Sequence, residues 1–350
     1  MDDQLDAELR RRLQGVAEQV LREVAAARPA REIAEHLEAG LLGVRDRVPR
    51  AQVGPLLWAD RLLERVRYDL GVASAAREAG QRTMGIASGL SVLDIVLNGW
   101  QPGGLYILGG APGVGKTSLA LQWACQAVVD RRAVVVYLTY ENSPQNLALK
   151  AIGRLAGVPP TAAERGRADP HRWGQGLERF RAIAPNLALV PADAGMSVDS
   201  VEAITREALA HRPGEGLLIV DYLQRMAYTE RFESLRDNVS ALAQRLRDLA
   251  VRLDLPVVAI SALAPGRHVD EPLRLAALAE RGELEYASDV VLLLGPRADV
   301  TLASAARAQA APGLRLLDLL VAKNRYGEAD RTIPVVFRPS TGDFKEEPTV

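Results

Sequence analysis

The 350-residue chain has room for one large domain and a small one, and 48 % hydrophobic with 25 % charged residues is the composition of a globular protein. A net charge of −1 excludes a whole-molecule basic field for nucleic acid, and 5 % aromatic residues exclude a wide base-stacking platform. The single cysteine, Cys125, excludes an internal disulfide; no apolar run approaches the roughly 18 residues of a membrane span, and the acidic start Met1-Asp2-Asp3 does not read as a secretory leader. The expectation is a cytoplasmic protein with no membrane contact, in which any nucleic-acid contact comes from a local basic loop.

Residues 1 to about 48 carry apolar side chains at helical spacing: Leu5, Leu9, Leu13, Val16, Val20 and Val24 fall on one stripe. Pro29 interrupts, and a second helix carries Ile33, Leu37 and Leu41. Pro49 and Pro55 mark a break before a third helix, about Leu56 to Ala76, apolar at Ala59, Leu63, Val66 and Leu70. These helices are too few for a substantial core of their own. They dock on the main domain, on a neighbouring copy or on each other. Glu78–Thr83 reads as a linker, which sets the expected boundary between a helical region, 1–83, and a main domain, 84–350.

Beyond the linker, strands alternate with helices, the pattern of an α/β fold with a mainly parallel sheet. The predicted strands are Leu105–Leu108, Val134–Leu138, Leu187–Val190, Leu217–Asp221, Pro256–Ser261, Val290–Leu294 and Leu316–Ala322. Most are nearly continuous apolar runs, as strands covered on both faces are. Helices are expected over about Ser197–His211 and Asp237–Leu253. Ala303–Ala311 reads as a surface helix or loop, and Lys345–Val350 as a frayed tail.

Gly110-Ala111-Pro112-Gly113-Val114-Gly115-Lys116-Thr117 has the spacing G-x-x-x-x-G-K-[ST] of a phosphate-binding loop, between a predicted strand and a helix that starts with Ser118. Its glycines let backbone N–H groups curl round an anion, and the helix points its positive end at the same place. The motif gives Lys116 the β- and γ-phosphates of a ligand and Thr117 the Mg²⁺ ion. Asp221, at the C-terminal end of a buried strand, stands on the ligand edge of such a sheet and is a second candidate for orienting Mg²⁺. Glu141, just past another strand, is a candidate base for water attacking the γ-phosphate, although Asn142-Ser143-Pro144 reads as a turn and an exposed glutamate is common there. Lys323 and Arg325, two apart on a strand end, point the same way, toward either a phosphoryl group or solvent. Two basic, irregular stretches, Arg225 through Arg231 to Arg236 and Arg267 through Arg274 to Arg281, are equally readable as phosphate contacts or as mixed surface charge.

Taken together these segments resemble the RecA-like ATPase domain of DnaB-type replicative helicases. The resemblance starts at Ser88-Gly89-Leu90-Ser91-Val92-Leu93-Asp94 and Gly99-Trp100-Gln101-Pro102-Gly103-Gly104-Leu105. It continues through the phosphate loop and Tyr140-Glu141-Asn142-Ser143-Pro144-Gln145-Asn146-Leu147. It is closest at Leu218-Ile219-Val220-Asp221-Tyr222-Leu223-Gln224-Arg225-Met226, passes through Leu255–Ser261 and Glu280–Asp289, and ends at Ala322-Lys323-Asn324-Arg325-Tyr326-Gly327. It implies a RecA-like P-loop NTPase fold preceded by a small all-helical region. It also implies that ATP is hydrolysed to ADP and phosphate in a homo-oligomer, a ring usually of six subunits. Glu141 then matches the catalytic glutamate, Asp221 the Walker B acid, and Lys323 and Arg325 the finger pair that reaches the adjacent subunit's nucleotide. Arg225, Arg231 and Arg236, with Glu280, Arg281 and Gly282, match loops that line the pore and track single-stranded DNA. A loader or primase is the implied further partner.

Three departures stand out. The family's Gln after the sensor-strand Ser is Ala262 here, the Arg before the pore-loop Glu is Ala279, and the N-terminal region is shorter than the family's domain plus linker. The leading expectation is a helicase or translocase. The alternative is a RecA- or KaiC-like ATPase, acting in recombination or regulation without strand unwinding, which Ala262 and Ala279 favour.

Overall fold

The structure, a computed structural model, describes residues 83–131, 133–193, 195–212, 214–227, 235–262, 283–297 and 313–347, with 14–18, 20–26 and scattered positions up to 78. Two compact units divide the chain, Met1–Ala75 and Ala76–Val350. In the first, residues 14–18 and 20–25 are helical, with Val16 and Val20 half-buried and Val24 exposed. Ala59, Leu63, Val66 and Leu70 are helical too, as the spacing predicts, but all four are exposed.

In the second unit the described strands are β1 (Leu105–Gly110), β2 (Val134–Thr139), β3 (Leu187–Pro191), β4 (Gly216–Asp221), β5 (Val257–Ala262), β6 (Val290–Pro296), β7 (Arg315–Asn324), β8 (Arg331–Arg338) and β9 (Asp343–Glu346). Among the described residues they form one nine-stranded sheet, ordered β3-β2-β4-β5-β1-β6-β7-β8-β9. From β3 to β6 all neighbours are parallel; β7, β8 and β9 add an antiparallel meander. The helices are α1 (Ser91–Leu97), α2 (Lys116–Arg131), α3 (Pro144–Ala156), α4 (Pro160–Glu164), α5 (Pro170–Ile183), α6 (Val198–His211), α7 (Leu223–Ala227), α8 (Leu235–Leu253) and α9 (Glu283–Ala287).

Two cores lie on the two faces of the sheet. Successive strand side chains point to opposite faces, so β1 sends Tyr106 and Leu108 into one core, with Trp100, Leu119 and Trp123, and Leu105 and Ile107 into the other, with Leu246 and Leu249 of α8. That double coverage is why β1 and β2 read as unbroken apolar runs.

Three elements differ from the sequence reading. Helix α3 begins where only a turn was expected: Ser143 Oγ accepts the Asn146 N–H at 3.2 Å as N-cap, and Pro144 opens the helix, where a missing N–H costs nothing. The tail is not frayed from Lys345, because Asp343–Glu346 is a strand on β8. Strand β8 itself was hidden by Pro334, which lies opposite Asp318 of β7 just before the residues paired with β9. Ala303–Ala311 lies outside the described residues.

The meander braces the phosphate loop. Phe337 and Phe344 stack with ring centroids 4.2 Å apart. Gly115 has φ +111°, and a Cβ there would stand 2.9 Å from Phe344 Cζ and 3.0 Å from Phe337 Cε1. Gln122 of α2 donates from Nε2 to the Phe344 carbonyl at 3.0 Å and accepts the Phe344 N–H at 2.9 Å. The helix therefore completes the edge of β9 with a side chain.

Candidate nucleotide site

Parallel register places four strand ends in a row. Gly110 pairs with Ala262, and Thr139 with Asp221, along the order β2-β4-β5-β1. This C-terminal edge is where open α/β sheets hold ligands. The loop Gly110–Thr117 leaves β1 here and runs into α2. Gly110 packs too closely for a side chain, since a Cβ would meet Leu294 O at 2.7 Å. Lys116 Nζ donates to the carbonyls of Gly110 at 2.7 Å and Ala111 at 3.1 Å. Burial lowers the pKa of this ammonium, while the charges of Asp221 and Glu141 push it back up.

Asp221 is buried, accepting the Tyr137 hydroxyl at 2.9 Å and a hydrogen bond from the Thr117 side chain. Burial raises its pKa; the two hydroxyls lower it, the nearby Glu141 charge raises it, and Lys116 lowers it. The structure thus brings Lys116, Thr117, Glu141 and Asp221 into one electrostatic neighbourhood. A hydroxyl beside an under-compensated carboxylate is a donor set for a hard cation such as Mg²⁺. Among the described residues no three His, Cys, Asp or Glu side chains gather as a metal cluster, so such an ion would take its remaining oxygens from a ligand or from water. A cleft of about 630 Å³ continues from Ser118 between α3 and the Pro339–Gly342 turn, lined also by Lys150 and Arg154.

Behind Asp221, Gln224 Nε2 donates to Ser261 Oγ at 2.9 Å, and Gln224 Oε1 accepts the Ala262 N–H at 3.1 Å. Gln224 thereby ties α7 to the end of β5, where Ala262 offers no polar side chain. Sequence reasoning missed Tyr137, Thr139 and Lys150. The first two alternate on β2 with apolar residues, and a polar residue ending a buried strand is the signal that singled out Asp221.

Lys323 and Arg325 lie elsewhere. Lys323 Nζ donates to the Ser288 carbonyl at 2.7 Å and to the Glu285 carbonyl. Arg325 donates from Nη2 to Tyr286 O at 2.8 Å and from Nη1 to Asp289 Oδ1 at 3.3 Å. Asp289 Oδ2 accepts the Leu105 N–H and the Arg247 Nε, each at 2.8 Å. Leu105 begins β1 and Gly110 ends it, so the pair sits at the opposite edge of the sheet from the phosphate loop, roughly 16 Å away at strand rise.

Of the residues expected to meet nucleic acid, Arg225 is exposed on α7 rather than in an irregular loop, and Arg236 lies in α8. Arg231, Glu280, Arg281 and Gly282 lie outside the described residues. No helix among the described residues is long and apolar enough to cross a membrane.

The family model described as DnaB-like helicase C terminal domain matches residues 85–346. The Replicative DNA helicase DnaB of Leifsonia xyli subsp. xyli is 29 % identical over 287 residues, 81 % of this chain and 61 % of that protein. Across the curated relatives it matches, the chain spans about half their length, 45–61 %. Two solved structures share the fold. The ATPase domain of G40P superposes with a TM-score of 0.68 at 23 % identity, over 81 % of this chain and 99 % of that one. A DnaB-like replicative helicase, solved with attention to its interactions with primase, gives 0.66 at 21 % identity, over 97 % and 77 %. With residues 85–346 inside the family match and a RecA-like sheet around the phosphate loop, the chain belongs to the DnaB-like helicase C-terminal domain family of ATPases.

Proposed function

We propose that the chain is an ATP-driven motor that assembles with copies of itself into a ring, six subunits by family expectation, and moves along single-stranded DNA. The observation that carries this reading is the separation of Arg325 from the phosphate loop by the length of β1. A subunit cannot bring its own arginine to its own nucleotide, whereas a neighbour presenting its β1 start can. Residues 84–350 are the motor. Residues 1–83, whose Leu63, Val66 and Leu70 are exposed at helical spacing, supply a face for a neighbouring copy. A loader or primase is the further partner this reading allows.

Within the site, the loop from Gly110 to Thr117 and the start of α2 at Ser118 bind the phosphates through backbone N–H groups, and the cleft beside Ser118 takes the nucleoside. Lys116 leaves its loop carbonyls for the β- and γ-phosphates. Thr117 and Asp221 hold Mg²⁺, which supplies charge neutralisation at the phosphates. Glu141 accepts the proton of the attacking water. Lys323 and Arg325 stabilise the charge on the transferred group of the adjacent subunit. Arg225, Arg231, Arg236 and the Glu280-Arg281-Gly282 segment meet the DNA backbone.

A second reading, an ATPase of the same fold that binds DNA or protein without unwinding, is favoured by Ala262, whose side chain cannot relay the state of the phosphate to a DNA loop. Strand displacement on forked DNA separates the two. The test of the first is ATP turnover with and without single-stranded DNA, beside a mass measurement of the assembly. Turnover that rises with assembly and with DNA supports it, and full DNA-independent turnover in a monomer rejects it.

A further inference from the structure

The candidate base has nothing of its own to aim it. Glu141 is exposed, and among the described residues its carboxylate makes no hydrogen bond or ion pair. The space its carboxylate can reach is therefore bounded by where its backbone stands, and that backbone is held on both sides. The Tyr140 N–H donates to the Asp221 carbonyl at 2.8 Å, fixing the residue before it to the end of β4. The residue after it is held by Thr139. The Thr139 hydroxyl donates to the Asn142 carbonyl at 2.8 Å and accepts the Asn142 N–H at 3.0 Å, closing the turn on itself. Lys150 of α3 then grips the same residue from outside, donating from Nζ to Asn142 Oδ1 at 2.8 Å.

We propose that Thr139 is the positioning residue of Glu141, with Lys150 acting on the same turn through Asn142. This rests on the reading of Glu141 as the base. A hydroxyl is needed because only a group that donates and accepts at once can satisfy both the N–H and the C=O of one residue. Thr139 suits the place for a second reason: it is buried at the end of β2, so its hydroxyl has no competing water. Valine has the same shape and neither function. Asn142 is half-buried, so water can replace the lost bonds and the fold persists without them.

The experiment uses the full chain, assembled with single-stranded DNA, as wild type, Thr139→Val, Thr139→Ser, Glu141→Gln and the Thr139→Val/Glu141→Gln double variant. Three quantities are read: ATP affinity, kcat, and hydrogen exchange of the Asn142 amide in the nucleotide-free protein. Thr139→Val is expected to keep its melting temperature and ATP affinity, lose about 10- to 100-fold in kcat, and expose the Asn142 amide to exchange. Thr139→Ser restores both protection and most of kcat. The double variant turns over no more slowly than Glu141→Gln alone, because Thr139 acts through the carboxylate. Wild-type kcat in Thr139→Val beside a Glu141→Gln slowed to a small but measurable residual rate overturns the positioning role and leaves the base in place. An equal further loss in the double variant also overturns it, since the effect is then general to the fold. Wild-type turnover in Glu141→Gln removes the base itself and the role of the clamp with it.

Discussion

The Tyr137 hydroxyl of β2 donates to Asp221 Oδ2 of β4 at 2.9 Å, so a core side chain supplies a hydrogen bond to the buried carboxylate of the site. Burial nevertheless wins, and Asp221 titrates above its ordinary range. A raised folded-state pKa contributes stability below the unfolded value that is lost as pH rises through the folded one. The nucleotide-free protein is therefore weakened at neutral pH by its own charge. Asp221→Asn should raise its melting temperature at neutral pH and have no such effect at acid pH, where Asp221 is already protonated. If Asp221 holds Mg²⁺, the affinity for Mg²⁺-ATP falls as pH drops through that raised pKa. Tyr137→Phe removes one of the two hydroxyls that hold the pKa down, so the acid limb of binding should move to higher pH. Nucleotide titrations across pH on both variants check this; an unmoved limb in Tyr137→Phe rejects it.

Support for the phosphate loop comes from the far end of the chain. Phe344 is buried, stacks on Phe337 and carries both hydrogen bonds to Gln122. Phe344→Ala should cost about 3–5 kcal/mol in denaturant unfolding and weaken ATP binding in the fraction that stays folded. Gly115→Ala acts more narrowly. It forces a Cβ at φ +111° against two aromatic rings, so the loop, not the core, gives way. Its expected signature is lost ATP affinity with a melting temperature close to wild type.

How much of this was legible beforehand depends on whether the cause was local. The loop Gly110–Thr117 is a contiguous string, and Asp221 is a charge ending an apolar run, so both could be placed from sequence. All seven expected strands are present; the continuous apolar runs of β1, β2, β4, β5 and β6 mark doubly covered strands, while edge strand β3 and strand β7 are only partly buried. Helix α3 was missed because Ser143-Pro144 signals a turn and a helix start equally well. The brace beneath Gly115 was not legible, since its partners are more than 200 positions away and β8 is disguised by Pro334. The opposite placements of Arg325 and Lys116 follow from the antiparallel run of β7 against β6, which brings Asn324 beside Val290 at the start of β6, and a strand's direction leaves no local trace.

DNA binding by the proposed motor should be local and electrostatic. With a net charge of −1, counterion release comes from the named arginines alone. Removing one arginine that pairs with a phosphate should lower the salt slope by about 0.7 on a single strand. Reversing Arg225, Arg231, Arg236 and Arg281 to Glu should abolish single-strand binding, with ATP affinity unchanged. Fluorescence anisotropy of a labelled oligonucleotide across salt concentrations measures both, and binding that survives all four changes rejects this surface.

Arg325 offers the test of assembly. In one subunit its guanidinium rests on Asp289 Oδ1 and Tyr286 O, at the start of β1, while Lys116 rests on Gly110 O at the end of the same strand. A finger acting in trans leaves a lone subunit with an incomplete site. Arg325→Ala should therefore bind ATP almost normally and lose turnover by about 10³-fold or more, the usual cost of removing such an arginine. Glu141→Gln is inactive for a different reason and in a different half of the interface. Where an Arg325→Ala subunit contributes Glu141 and its Glu141→Gln neighbour contributes Arg325, both groups of that interface are intact. Mixing the two proteins under conditions of subunit exchange should then restore part of the turnover that neither shows alone, peaking near equal amounts. An isolated Arg325→Ala protein that turns over ATP at the wild-type rate removes the arginine from the chemistry and rejects its action in trans.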